Sequence, residues 1–209
     1  SALGAVDDVM PTAYEEPWFG VTSPSKIDGT AGDGLWQYTS PSVGGATITA
    51  TYSQADTTIV ESQTSYAIAY SPEMVDGLTV GYAVQDDTAT GVATSAKDES
   101  TMYAKYTFGS ITAGYQVSES DNATASEDQE STGMAISYAI SDEMSISYGQ
   151  HEVETPNDSA DQDQEASAIS ASYVSGGMTI KGTIGEVDNV GNVAATDRET
   201  YEFSMSFAF

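Results

Sequence analysis

From Thr200 to Phe209 every odd position is a large apolar or aromatic residue and every even position is small or polar. Side chains in a strand alternate faces with period 2, so Tyr201, Phe203, Met205, Phe207 and Phe209 share one face and Glu202, Ser204, Ser206 and Ala208 the other. The same two-sided pattern recurs upstream. Ala46, Ile48, Ala50 and Tyr52 share a face, as do Leu78, Val80, Tyr82 and Val84, then Ile111, Ala113, Tyr115 and Val117, then Met144, Ile146 and Tyr148. The pattern predicts eleven strands, over 35–40, 46–53, 64–71, 78–85, 100–108, 111–117, 132–140, 144–151, 166–174, 178–185 and 199–209, whose second faces are Thr, Ser, Gly, Ala and Gln. Residues 1–34 do not alternate. With Pro11, Pro17, Pro24 and several glycines they read as one long loop, and a loop of that length tends to be functional.

The connections alternate in length. Short ones fall at 41–45, 72–77, 109–110, 141–143 and 175–177; long ones fall at 54–63, 86–99, 118–131, 152–165 and 186–198. Tight turns along one edge and large loops along the other are the asymmetry of a transmembrane, antiparallel, up-and-down β-barrel. Carboxylates gather in or beside the long connections, among them Glu119, Asp121, Glu127, Asp128, Glu130, Glu152, Glu154 and Glu165. Charge thus avoids the apolar face, where lipid contact would cost about 2–4 kcal/mol at mid-depth. Tyr70, Tyr106 and Tyr148 stand where an interfacial aromatic girdle would form.

Composition narrows the class further. Apolar residues make up 39% of the 209 residues, too few for a thick dry core but enough for a barrel with a wet interior, which needs only half of each strand to be apolar. Acids number 32 and bases 5, for a net charge of −27, so nucleic acid is not an expected partner. There is no cysteine, hence no disulfide framework and no thiolate metal site, and no apolar run is long enough for a spanning helix. The acidic connections offer oxygen ligands for Ca²⁺, yet no spacing resembles a dedicated loop, so solvated charge is the plainer account. His151 is the only histidine; it is expected at a loop mouth and by itself supports neither a metal site nor a catalytic triad.

Ser1-Ala2-Leu3-Gly4-Ala5-Val6-Asp7-Asp8 with Tyr14-Glu15-Glu16, the strand-turn pattern to the end, and the terminal Tyr201-Glu202-Phe203 to Phe207-Ala208-Phe209 together resemble the bacterial general porins, most closely the alphaproteobacterial type. The resemblance implies sixteen strands with an inward-folded constriction loop between the fifth and sixth. On that count residues 1–34 are the constriction loop, residues 35–209 supply the last eleven strands, and the first five are expected upstream of Ser1; the alternative is a smaller, twelve-strand barrel plugged by residues 1–34. It further implies a homotrimer in the bacterial outer membrane, in contact with membrane lipid and lipopolysaccharide, passing small hydrophilic solutes.

In that frame Asp7, Asp8, Glu15 and Glu16 form the acidic rim of the constriction, with a solvated surface loop as the bland alternative. Lys105 and Lys181 have polar-face parity and are expected on the lumen wall with Glu202; a Lys181–Glu202 ion pair is as natural there as a selectivity role. Arg198 is expected at the outer rim, tethering loop carboxylates. The acidic mouth implies mild cation preference. Two other functions compete: a closed outer-membrane barrel acting as an adhesin or receptor through its loops, and a secreted acidic β-sandwich or an outer-membrane hydrolase, the last of which would need a nucleophile motif near His151 that the chain does not show.

Overall fold

Residues that alternate apolar and small polar side chains cannot bury both faces, but they can satisfy every amide and carbonyl by pairing sideways. The computed structural model describes residues 8–21, 35–54, 61–89, 97–156 and 162–208, and shows that outcome throughout. The strands are β1 Leu35–Thr39, β2 Ala46–Ser53, β3 Glu61–Tyr70, β4 Leu78–Ala89, β5 Lys97–Phe108, β6 Ile111–Asn122, β7 Gln129–Ala139, β8 Met144–Glu154, β9 Gln164–Ser175, β10 Met178–Asp188 and β11 Arg198–Phe207. They form one sheet in chain order, each antiparallel to the next, with β1 and β11 at its edges. A short 3₁₀ turn, Ala125–Glu127, interrupts the β6–β7 connection.

All eleven expected strands are present, and the short turns lie where the sequence put them. The long connections are shorter than expected. β4 runs four residues beyond 85 to Ala89, β6 runs on to Asn122, β7 starts at Gln129, β8 runs to Glu154 and β10 to Asp188. Glu119, Asp121, Glu130, Glu152, Glu154 and Glu165, expected in loops, therefore stand on strands. The cause is that ladder hydrogen bonds continue wherever the partner strand continues, whether or not the side chains still alternate in polarity.

The two faces are inverted relative to a water-soluble sheet. Tyr201 is 83% exposed, Phe203 68%, Met205 48% and Phe207 54%, and Tyr66, Tyr82, Met102, Tyr115, Ile136 and Ile184 on the same face are exposed too. Phe209 lies outside the described residues. Most covered positions are polar: Thr51, Ser65, Thr101, Ser118, Ser147, Ser170 and Thr183 are all buried, with Ala83, Val153 and Val187 among the apolar exceptions. Hydroxyls facing one another across neighbouring strands pair there, Thr101 with Ser118 at 2.7 Å, Ser170 with Thr183 at 2.8 Å, and Thr51 with Ser65. Each such pair contributes about 0.2–1 kcal/mol, and together they take the place of an apolar core between strands.

Above the apolar band the same outer face turns acidic. The register sets Asp86 opposite Asp98 and Asp98 opposite Asp121; it sets Glu119 opposite Glu130 and Glu130 opposite Glu154; and it sets Glu152 opposite Glu165 and Glu165 opposite Asp188. Like charges directly opposed in a sheet repel. Replacing the middle acid of one run, Glu130→Lys, is therefore expected to stabilise the folded barrel by about 0.5–1 kcal/mol at low salt. The gain should shrink as the Debye length falls to about 3 Å near 1 M salt. The midpoint of heat-induced loss of the folded electrophoretic form, measured at both ionic strengths, checks this.

Candidate functional site

Residues 8–21 contain no regular element, yet most of them are half-buried or buried, because this segment lies as a strap against the polar face of β6–β11. Backbone groups that have no ladder partner find side chains on the wall. The Val9 amide donates to Gln116 Oε1 on β6 at 3.0 Å, the Ala13 amide donates to Ser147 Oγ on β8 at 2.8 Å, and Ser170 Oγ on β9 donates to the Glu15 carbonyl at 3.0 Å. At the far end the Arg198 guanidinium on β11 donates to the Gly20 carbonyl at 2.8 Å.

The wall beneath the strap is shaped by missing side chains. In register across five strands stand Gly114, Ala135, Gly149, Ala168 and Gly185. A Cβ on Gly114 would come within 2.7 Å of Pro11 Cδ, and one on Gly149 within 2.8 Å of Pro17 Cγ. The trough is thus as deep as the strap's prolines need. Beside it runs a second row, Gly133, His151, Ala166 and Val187, on which Trp18 sits, 9% exposed, with Val21 and Val190 packed against the same cluster. The rings of Trp18 and His151 are 4.2 Å apart, tilted by 57°. His151 is therefore a buried residue within β8, not a loop-mouth residue.

Of the acids assigned to the constriction, Asp8, Glu15 and Glu16 are all half-buried on the strap; Asp7 lies outside the described residues. Asp8 caps the strap locally, accepting the Met10 amide at 2.9 Å. Burial, and the nearby Glu16 and Glu202 carboxylates, push the Glu15 carboxyl above its ordinary value of 4.5, with Lys181 pulling the other way. Lys105, Lys181 and Glu202 are all half-buried at polar-face positions. Lys181 and Glu202 do not pair directly. The register sets Lys181 against Ser204 and Glu202 against Thr183, and Tyr14 from the strap fills the gap. Its hydroxyl donates to Glu202 Oε1 while the Lys181 ammonium lies 5.1 Å from its ring centroid. The Glu202 bond is the main cause of a phenol pKa above 10.0. Arg198 does hold a tether, but its partner is a strap carbonyl and not the loop carboxylates expected.

A second polar cluster had no counterpart in the sequence reading, because its residues fell within an expected loop or at its edge. Asp87 on β4 and Glu99 on β5 are 3% and 2% exposed. Gln63 Nε2 donates to Asp87 at 3.2 Å, Gln85 Nε2 donates to Asp87 at 3.2 Å and to Glu99 at 3.0 Å, and Lys97 pairs with Glu99 at 2.7 Å. Buried carboxylates persist only when donors meet them in this way. Among the described residues no group of three or more acidic or histidine side chains is placed to hold a metal ion.

The arrangement offers a polar wall, a strap laid across it and fixed charges of both signs at their junction. A model of the Gram-negative porin family matches residues 1–209. Among solved structures the chain is similar to the anion-selective porin from Comamonas acidovorans (15% identity, TM-score 0.64, covering 95% of this chain and 66% of that one). It is also similar to a porin refined at 1.8 Å (17%, 0.67, 97% and 75%) and to OmpT of Vibrio cholerae folded in vitro (16%, 0.62, 93% and 70%). The chain thus spans about two-thirds to three-quarters of the length of these structures. No curated protein matches it.

Overpacking costs about 1–3 kcal/mol, so Gly149→Val is expected to lift the strap and speed hydrogen exchange at the Val9 and Ala13 amides about ten- to a hundredfold. Gly182→Ala, whose added Cβ meets only a carbonyl at 3.5 Å, should leave those amides unchanged. Exchange mass spectrometry of residues 8–21 reads the difference.

Proposed function

Because the chain belongs to the Gram-negative porin family, a family of outer-membrane β-barrels, we propose that it forms most of the wall of a water-filled channel for passive diffusion of small hydrophilic solutes. One observation carries the reading: the strap 8–21 is bonded to the polar face of a sheet whose other face is apolar and exposed. In lipid only a closed barrel satisfies its sheet edges, so β1 and β11 would be joined through further strands, sixteen in all by the family resemblance. The exposed row Tyr201, Phe203, Met205 and Phe207 would then meet acyl chains, and the acidic rows above the band would stand at headgroup level beside lipopolysaccharide. Neighbouring barrels would assemble as a homotrimer.

The strap would narrow the passage, and its half-buried acids would set the selectivity. Lys97, Lys105, Lys181 and Arg198 all have polar-face parity, and Asp87, Glu99 and Glu202 offset their charge. The wall itself is therefore close to balanced. The surplus negative charge comes from Asp8, Glu15 and Glu16 on the strap and from the acidic mouth, which favours cations mildly. Single-channel recording of the full-length protein in planar bilayers tests this: absence of conductance would sink the channel reading, and a strong anion preference would sink the charge assignment.

Glu15 makes the selectivity pH-dependent in a defined sense. Its carboxyl is held above 4.5, so it takes up a proton on acidification before an unperturbed carboxylate would. A raised acid favours the folded state when protonated: that contribution is full below the ordinary value and is lost as pH rises through the raised one. Lowering the pH toward 4.5 should thus weaken cation preference and tighten the strap together, and Glu15→Gln should abolish the first step of the profile. Reversal potentials measured across a salt gradient from pH 7 downward give the readout.

A further inference from the structure

The β10–β11 connection, residues 189–197, does not stand out from the sheet. The Asn192 side-chain amide, in a residue 4% exposed, donates to the Val153 carbonyl on β8 at 2.7 Å. The Gly191 amide donates to Gln164 Oε1 on β9 at 2.9 Å, and the Gln162 amide donates to the Asn192 carbonyl at 3.0 Å. Asn189 and Asn192 both take positive φ, 51° and 61°, a conformation that asparagine tolerates better than other side chains. The connection is bent inward by these residues and pinned to β8 and β9. Val190 thereby comes to pack against the cluster that the strap's Trp18 forms with Ala166 and Val187, as Val21 does.

We propose that residues 189–197 are a latch for the strap, with Asn192 and Trp18 as its positioning residues. The proposal rests on the channel reading and adds what holds the constriction still. Three features make it a latch and not merely a packed turn. The strap has no ladder of its own, so its position is set by scattered single bonds, by its prolines in the trough and by one large buried ring, Trp18. That ring clusters with the wall residues Ala166 and Val187, and Val190, which belongs to neither wall nor strap, packs against the cluster. The latch is in turn keyed to the wall by a buried amide bonded to β8, so the coupling runs from Asn192 through Val190 to the Trp18 cluster.

The geometry also supplies a staple. A Cβ on Gly20 would lie 3.8 Å from Thr200 Cβ, the usual separation across a disulfide, and the chain has no other cysteine to interfere; Gly20 holds φ 79°, so a cysteine there carries backbone strain, for which the pair alone is the control. The test uses the full-length protein in planar bilayers with five variants: Asn192→Ala, Trp18→Ala, the Gly20→Cys/Thr200→Cys pair alone, that pair combined with Trp18→Ala, and Val193→Ala as the control. The wild-type channel and the oxidised pair should conduct steadily and alike. Asn192→Ala and Trp18→Ala should add transient current fluctuations at least tenfold more often than wild type, while Val193→Ala, at an exposed latch position, should not. In the combined variant the fluctuations should vanish when the disulfide forms and return on reduction, which a misfolded barrel would not do. Fluctuations that persist with the disulfide closed, or Asn192→Ala and Trp18→Ala channels as quiet as wild type, would overturn the latch. Absence of any wild-type current would overturn the channel reading instead.

Discussion

Every backbone amide and carbonyl in lipid must find its partner within the protein, and in this chain the partner is always the next strand. That single requirement makes the sheet sequential and antiparallel, and it carries the ladders past the apolar band into rows of carboxylates that side-chain energetics alone would not bring together. Opposed acids such as Glu119, Glu130 and Glu154 are tolerated because the ladder holds them and because their heads reach water. The band beneath them is apolar on one side only, so the opposite side is left to Ser, Thr, Gly and Ala.

What this leaves on the polar side is unusual as a protein interior. Hydroxyl pairs such as Thr101 with Ser118 knit neighbouring strands where a soluble sheet would use Val or Leu. The residue types are small, and small residues leave room. The Gly114–Ala135–Gly149–Ala168–Gly185 row turns that room into a trough, and Pro11 and Pro17 lie in it at contact distances that a single methyl would upset. Trp18 is a large ring buried on this polar face beside His151, Ala166 and Val187, and Val190 of the β10–β11 connection packs against its cluster.

Charge is sorted by the same geometry. The acidic rows face outward above the band, the described bases Lys97, Lys105, Lys181 and Arg198 have inward parity, and the strap's Asp8, Glu15 and Glu16 are half-buried on the inner side. Tyr14 shows how the inward charges are managed: placed between Lys181 and Glu202, it donates a hydrogen bond to the carboxylate and turns its ring to the ammonium, so the two charges are linked through the strap and not directly to each other. The Gln63–Gln85–Asp87–Glu99–Lys97 cluster does the equivalent on β3–β5 with amides as intermediaries.

The eleven strands, their order of faces and the sites of the short turns were legible from residue order alone, since period 2 is a local property and an apolar row such as Tyr201, Phe203, Met205 and Phe207 can be read without knowing its neighbours. Parity also places Lys105, Lys181 and Glu202 on the polar face from residue order alone. Strand ends were not legible, because past the band both faces are polar and only the partner strand says whether the ladder goes on. Nor was the strap's seat: whether Gly149 lies under Pro17, whether Tyr14 separates Lys181 from Glu202, and whether Asn192 keys a connection onto β8 are settled by contacts between residues more than a hundred positions apart, or in the last case by a side chain bonding a backbone carbonyl, and neither leaves a periodic trace.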